Sequence, residues 1–298
     1  MVLTDAGPGL SWDVVGDVRH VLDYAFMVNA LRAGTVVAVM AGVMGWFMVL
    51  RRQSFAGHTL ALVGFPGAAG ATLVGVSALL GYFGFCVLAA LLISVVPHTR
   101  GRAFSEENAV TGTVQTLLLA FGFLFVSLYG GNLNGINALL FGSFLGITGT
   151  QVVTLLAVAA VALGAMAVLG RPLLFASIDP DVARARGVRV GPLSVAFLVL
   201  LGLAAAEASQ ITGSLLVFAL LVMPAATAQR LTPRPLLGVA VAVAIALSVT
   251  WLGLVIAFYS PYPIGFWVTT LAFGAYVAAG LAAGTRRRWR GRPEVTAA

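Results

Sequence analysis

The chain contains no lysine, one cysteine and three histidines, and only 9% of its 298 residues are charged. Each scarcity excludes a class of protein. Soluble domains carry about 25% charged residues, so this is not an ordinary soluble domain. Cys86, alone inside an apolar run, rules out a disulfide framework and a cysteine metal cluster, and reads as a small buried hydrophobe. Without a lysine there is no G-x-x-x-x-G-K-[ST] loop to cradle nucleotide phosphates. The apolar runs are continuous, not alternating, which excludes an outer-membrane barrel.

What remains is apolar. Hydrophobic residues make up 60% of the chain and the mean hydropathy is +1.02. A bilayer core needs roughly 20 such residues per helix, which leaves room for about eight to ten spans in a single all-α polytopic domain. Nine candidate spans lie between charges, at about 27–50, 59–80, 81–97, 108–129, 138–170, 192–210, 212–229, 236–259 and 265–284. The fifth is too long for one crossing. Its glycine-rich start, "GINALLFGSFLGITG" at 135–149, reads as a half-helix or re-entrant segment before a full span from about Thr150.

The net charge of +7 does not call for nucleic acid, because the arginines sit in short loops between spans. With the N-terminus outside, all basic residues except Arg19 and Arg32 fall on the cytoplasmic side, as the positive-inside rule requires. An odd number of spans, N-out and C-in, follows. Residues 1–25 form an external segment with no basic n-region, so they do not read as a secretory signal peptide. Within it, Trp12, Val15, Val18, Leu22 and Phe26 share helical spacing and predict an interfacial helix. Asp13, Asp17 and His20 lie on its polar side, spaced either to face a cation together or to form a plain solvated face. A single transmembrane domain covers 26–284, and 285–298 is an Arg-rich cytoplasmic tail.

Polar residues inside spans mark function or helix packing. His58, in "GHTLALVGFPG", opens the second span and reads as a metal ligand, a proton carrier or a polar cap at the membrane surface. Glu207, followed by Ser209 and Gln210, reads as a carboxylate facing the mouth of a pathway or as an interfacial group reaching water. Pro224, in "ITGSLLVFALLVMPAATAQR", should bend a helix whose Ala225, Ala226, Thr227 and Ala228 admit a close neighbour, either as a gate or as a packing kink. The longest cytoplasmic loop, about 171–191, holds "DPDVARARG", which predicts a short helix with Pro180 in its first turn and a stop at Gly187. Such an element docks a soluble partner or merely connects two spans.

At these residues a family resemblance emerges. "SLLVFALLVMPAATAQRL" at 214–231 and "IDPDVARARGV" at 178–188 resemble two hallmark stretches of the permease subunits of zinc and manganese ABC importers. "LRRQSFAGHTLA" at 50–61, "ALLFGSFLG" at 138–146 and "YPIG" at 262–265 are similar to further family segments, in the same order over about residues 26–284. The resemblance implies a type II ABC importer permease of the bacterial plasma membrane, surrounded by lipid and paired with a second protomer, identical or not. It also implies a cytoplasmic ATPase that binds the ATP, and an extracytoplasmic protein that delivers Zn2+ or Mn2+. The chain itself would be no enzyme and would hold no cofactor. Asp179, Asp181, Ala183 and Gly187 fall in the family's coupling-helix region.

The ligand positions depart from that pattern. Relatives hold Asp where this chain has His58, and His where it has Leu62; an i, i+4 pair grips one ion, and here the pair is broken. Ser143 stands where relatives often carry Asp, and Ser260 or Pro261 replaces a late carboxylate. The surviving nitrogen ligand places zinc ahead of manganese. A metal chelate or small organic cargo, or a stand-alone secondary transporter using Glu207 and His58 as proton carriers, are the alternatives.

Overall fold

The structure, a computed structural model, describes residues 20–95, 104–129, 146–214 and 217–290. Among these, regular structure is helical. The helices are α1 (Ala25–Leu50), α2 (Ser54–Leu73), α3 (Ala78–Val95), α4 (Phe104–Leu128), α5 (Gly149–Ile178), α6 (Pro180–Ala185), α7 (Val190–Thr212), α8 (Val217–Leu231), α9 (Pro235–Tyr259) and α10 (Ile264–Arg290). Six of them, α1, α4, α5, α7, α9 and α10, are long and apolar enough to cross a membrane. The predicted half-helix at 135–149 lies mostly outside the described residues, as do Asp13, Asp17 and Ser143.

Among the six long apolar helices, α1 and α7 are the most buried. About two thirds of the α1 span is buried and nearly as much of α7, against 17% for α4 and 22% for α5. The central pair packs against most of the bundle: α1 against α5, α7, α8 and α9, and α7 against α2, α3 and α5. Small residues let them do so. A Cβ on Gly45 of α1 would sit 2.0 Å from the Leu221 carbonyl oxygen of α8, so the two backbones touch there. Gly67 of α2 and Gly81 of α3 meet in the same way, each 2.1–2.2 Å from the other's carbonyl oxygen once a Cβ is added. Close backbone approach of this kind replaces the hydrophobic drive that lipid removes.

One end of the bundle gathers the arginines. Arg51 bonds to Ser177 and Ser194, on either side of α6, and the Gln229 side chain donates to the Trp46 carbonyl at 3.0 Å. The α1–α2 turn, α6 and the α8–α9 turn with Arg230 and Arg234 therefore share one end. At the other, Asn29 donates to the Ile147 carbonyl, and His20, Tyr24 and Phe258 form an aromatic cluster.

Two boundaries differ from the sequence reading. α5 does not stop at Arg171 but passes through Pro172 to Ile178, so the connector shortens to the segment around α6. Pro172 removes one backbone hydrogen bond, and burial of Leu173 and Ala176 carries the helix past it. Second, α7 ends at Gly213, with φ +74°, and α8 spans only 15 residues, about 22 Å, less than a bilayer core of about 30 Å. Ser214, just after the end of α7, is 1% exposed.

Candidate functional site

α6 is held at both ends by backbone chemistry that its sequence dictates. The Asp179 carboxylate accepts from the Asp181 and Val182 amides at 3.1 and 2.9 Å, and Pro180 occupies the first turn, where no amide is needed. At the other end Gly187, with φ +84°, donates to the Arg184 carbonyl, and Val188 donates to that of Ala183, both at 3.0 Å. That pair of hydrogen bonds is a Schellman stop. Ala183 is the one buried residue of α6 and faces α5 and α7, whereas Asp181, Val182, Arg184 and Ala185 are exposed. Asp181 pairs with Arg184 at 2.7 Å. The result is a rigid, short helix presenting a mixed charged and apolar face outward from the arginine-rich end.

His58 stands in the second turn of α2, half-buried. Its ring lies edge-on to Phe218 of α8, 5.0 Å between centroids, and 6.5 Å from Phe55. Nδ1 is fully covered and has no hydrogen-bond partner among the described residues. It thus packs against the start of the short helix α8. Leu62 occupies the next turn as expected, so no second ligand follows on that face.

Glu207 corrects the sequence reading most. It does not reach water: the residue is 0% exposed, and neither carboxylate oxygen has a hydrogen-bond partner among the described residues. α7 is covered on nearly every side at this depth, which no local pattern discloses. One and a half turns earlier, Gly202 lets α7 lie against the α3 backbone at Cys86. Cys86 itself donates its thiol to the Leu60 carbonyl of α2, confirming it as a small buried group. Gln210 follows Glu207 in α7, but its side chain lies outside the described residues. His58 and Glu207 are carried by neighbouring helices, α2 and α7. Among the described residues no three His, Cys, Asp or Glu side chains converge to hold a metal ion.

Pro224 sits buried within α8, which continues through it, and the Thr227 hydroxyl bonds back to the Met223 carbonyl at 2.7 Å. Ala225 and Ala228 are fully buried, as the small-residue pattern predicts. At the foot of α8, Arg230 lies 3.8 Å over the Tyr276 ring of α10 and also bonds to its hydroxyl. Sequence reasoning missed two residues that position the helices: Gly45 against α8, and Arg51 between α5 and α7. Gly45 was one glycine among 35, and Arg51 registered only as loop charge. Their partners are more than a hundred residues away, and nothing local signals them.

Comparison with known proteins agrees over nearly the whole chain. The ABC 3 transport family model matches residues 23–283. The "Manganese import system permease protein ScaB" of Streptococcus gordonii is 28% identical over 211 residues, 71% of this chain and 74% of that protein. The "Chelated iron transport system membrane protein YfeC" of Yersinia pestis is 30% identical over 250 residues, 84% of this chain and 83% of its own. Among solved structures, PsaBC from Streptococcus pneumoniae in complex with Fab superposes with a TM-score of 0.79 at 25% identity, covering 89% of this chain and 95% of that one. The chain therefore belongs to the ABC 3 transport family, as a multi-pass permease of the plasma membrane that is not itself an enzyme.

Proposed function

We propose that this permease forms the transmembrane pathway of an ATP-driven importer for a divalent first-row metal ion, with manganese ahead of zinc. Nine spans, N-out and C-in, place the arginine-rich end in the cytoplasm, where α6 docks a separate ATPase. A second permease protomer completes the pathway and an external binding protein delivers the ion. The observation that carries this reading is α6, a doubly capped helix with one buried alanine and an exposed face, set between two long helices at the arginine-rich end.

The preference for manganese reverses the order drawn from His58 alone. Two considerations support the reversal. Relatives from streptococci are named for manganese import. The interior also holds an unbonded carboxylate, Glu207, and carboxylate oxygens suit manganese better than they suit zinc. A buried carboxylate without donors costs several kcal/mol unless a cation or proton accompanies it, so an ion passing this depth relieves that cost. A chelated cargo is the second reading, favoured by the name of YfeC.

Labelled Mn2+ and Zn2+ uptake into proteoliposomes holding the complete importer tests both readings. ATP-dependent Mn2+ uptake exceeding Zn2+ uptake is expected. Uptake of the free ion without ATP would sink the importer reading, and uptake only in the presence of a chelator would select the second cargo.

A further inference from the structure

The turn between α1 and α2 carries a guanidinium tied to both helices that flank α6. Arg51 donates from Nη2 to Ser194 Oγ at 2.7 Å and from Nη1 to Ser177 Oγ at 3.2 Å. Its Nε donates to Gln53 Oε1 at 3.1 Å, and its Cζ lies 5.4 Å from the Phe197 ring centre. Ser177 is two residues before the Asp179 cap, in the last turn of α5, and Ser194 is in the second turn of α7. Arg51 thus grips the stem on each side of α6.

The turn that holds it is stiff. Arg51 and Gln53 amides donate to the Phe47 and Met48 carbonyls, Arg52 takes φ +57°, and a Cβ on Gly57 would meet the Met48 sulfur at 2.2 Å. His58 follows immediately on the same helix. A displacement at Arg51 therefore moves the start of α2 as a body. α6 packs chiefly against α5 and α7 among the described elements, so those two helices are the main route for any motion imposed on it. Apolar faces of packed helices slide in small shear steps. A planar fork bonded to both stems fixes direction, which a point-charge ammonium does not.

We propose that Arg51 is the positioning residue that carries movement of α6 to α2, the helix bearing His58, and so links ATPase action to the ion pathway. The proposal rests on the docking reading of α6. A residue that only staples helix ends would change stability and leave the ratio of transport to hydrolysis intact.

The test measures Mn2+ uptake and phosphate release on the same proteoliposomes, containing the complete importer with its ATPase and binding protein. Ser177→Ala combined with Ser194→Ala removes both acceptors and leaves α6 untouched. Uptake per ATP hydrolysed is expected to fall at least tenfold while the ATPase still co-purifies, with Arg51→Ala behaving alike and Arg51→Lys retaining part of the ratio. A wild-type ratio in the double serine variant overturns the proposal, and that variant decides if Arg51→Ala fails to insert. Val182→Arg, on the exposed face of α6, tests the docking reading separately: loss of ATPase co-purification supports it, and retention of both co-purification and uptake overturns it whatever Arg51 does.

Discussion

The arginine-rich end and the bundle interior treat polar groups in opposite ways. Around α6, Asp179, Asp181, Arg51, Ser177 and Gly187 are all bonded, several twice. In the interior, His58 Nδ1, both Glu207 oxygens and the Thr250 hydroxyl are buried without partners among the described residues. Buried polar groups are bonded in the great majority of cases, so orphans at this density call for a reason. A docking element must hold one shape while force is applied to it. On the proposed function, an ion pathway would leave its ligands free for a guest that is present only in transit. Two orphans have no ion chemistry, the indole of Trp267 and that of Trp46, the latter an exception near the arginine-rich end.

The sharpest break of that contrast removes the backbone contact on which the interior rests. Gly45→Val places a branched side chain where only 2.0 Å separates a Cβ from the Leu221 carbonyl oxygen, and the atom in the way is backbone. Overpacking of this kind costs about 3 kcal/mol. Loss of uptake with a marked fall in monodisperse yield is expected, and wild-type yield would mean that α1 and α8 do not touch there.

Next in size is the stop of α6. Gly187 has φ +84°, where an L-residue costs about 1–2 kcal/mol, with open space around its Cα. Gly187→Val should therefore unwind the helix end without clashing. Co-purification of the ATPase and ATP-driven uptake should both drop more than tenfold while insertion is normal, and unchanged uptake would remove α6 from the docking role.

The interior is probed more gently. His58→Ala removes one candidate ligand, and a roughly tenfold loss of uptake corresponds to about 1.4 kcal/mol of ion stabilisation. Normal uptake in this variant excludes the imidazole as a ligand. Leu62→His tests the same point from the other side, since it restores an i, i+4 pair on one face of α2. Tighter Mn2+ binding with slower turnover is expected, and a silent Leu62→His would show that this face of α2 does not line the pathway.

How much of this was legible beforehand follows the same division. Long apolar helices could be read because a bilayer core demands a minimum apolar length: α9, read at 236–259, runs 235–259. α6 could also be read, because its caps lie within a few residues of the helix they close. Glu207 could not. Whether a carboxylate near a helix end reaches water depends on what neighbouring helices cover, and here α7 is enclosed. Nor could the α8 start be placed, because its break depends on Gly213 entering a left-handed conformation inside the protein.

The smallest effect separates charge from shape at the arginine-rich end. The Asp181–Arg184 pair is short, at 2.7 Å, but its side chains are 86% and 47% exposed, so water and salt screen it. Such pairs contribute at most about 0.5 kcal/mol. Asp181→Asn keeps the side-chain volume and leaves the Asp179 cap in place, so the thermal stability of the purified permease should be unchanged within error. Uptake should nevertheless fall several-fold, because an exposed carboxylate on a docking face meets its partner's charge when water is excluded by contact. If stability and uptake both stay at wild-type values, Asp181 is a solvated residue of a surface turn, and docking at this end rests on the shape held by Asp179, Ala183 and Gly187 alone.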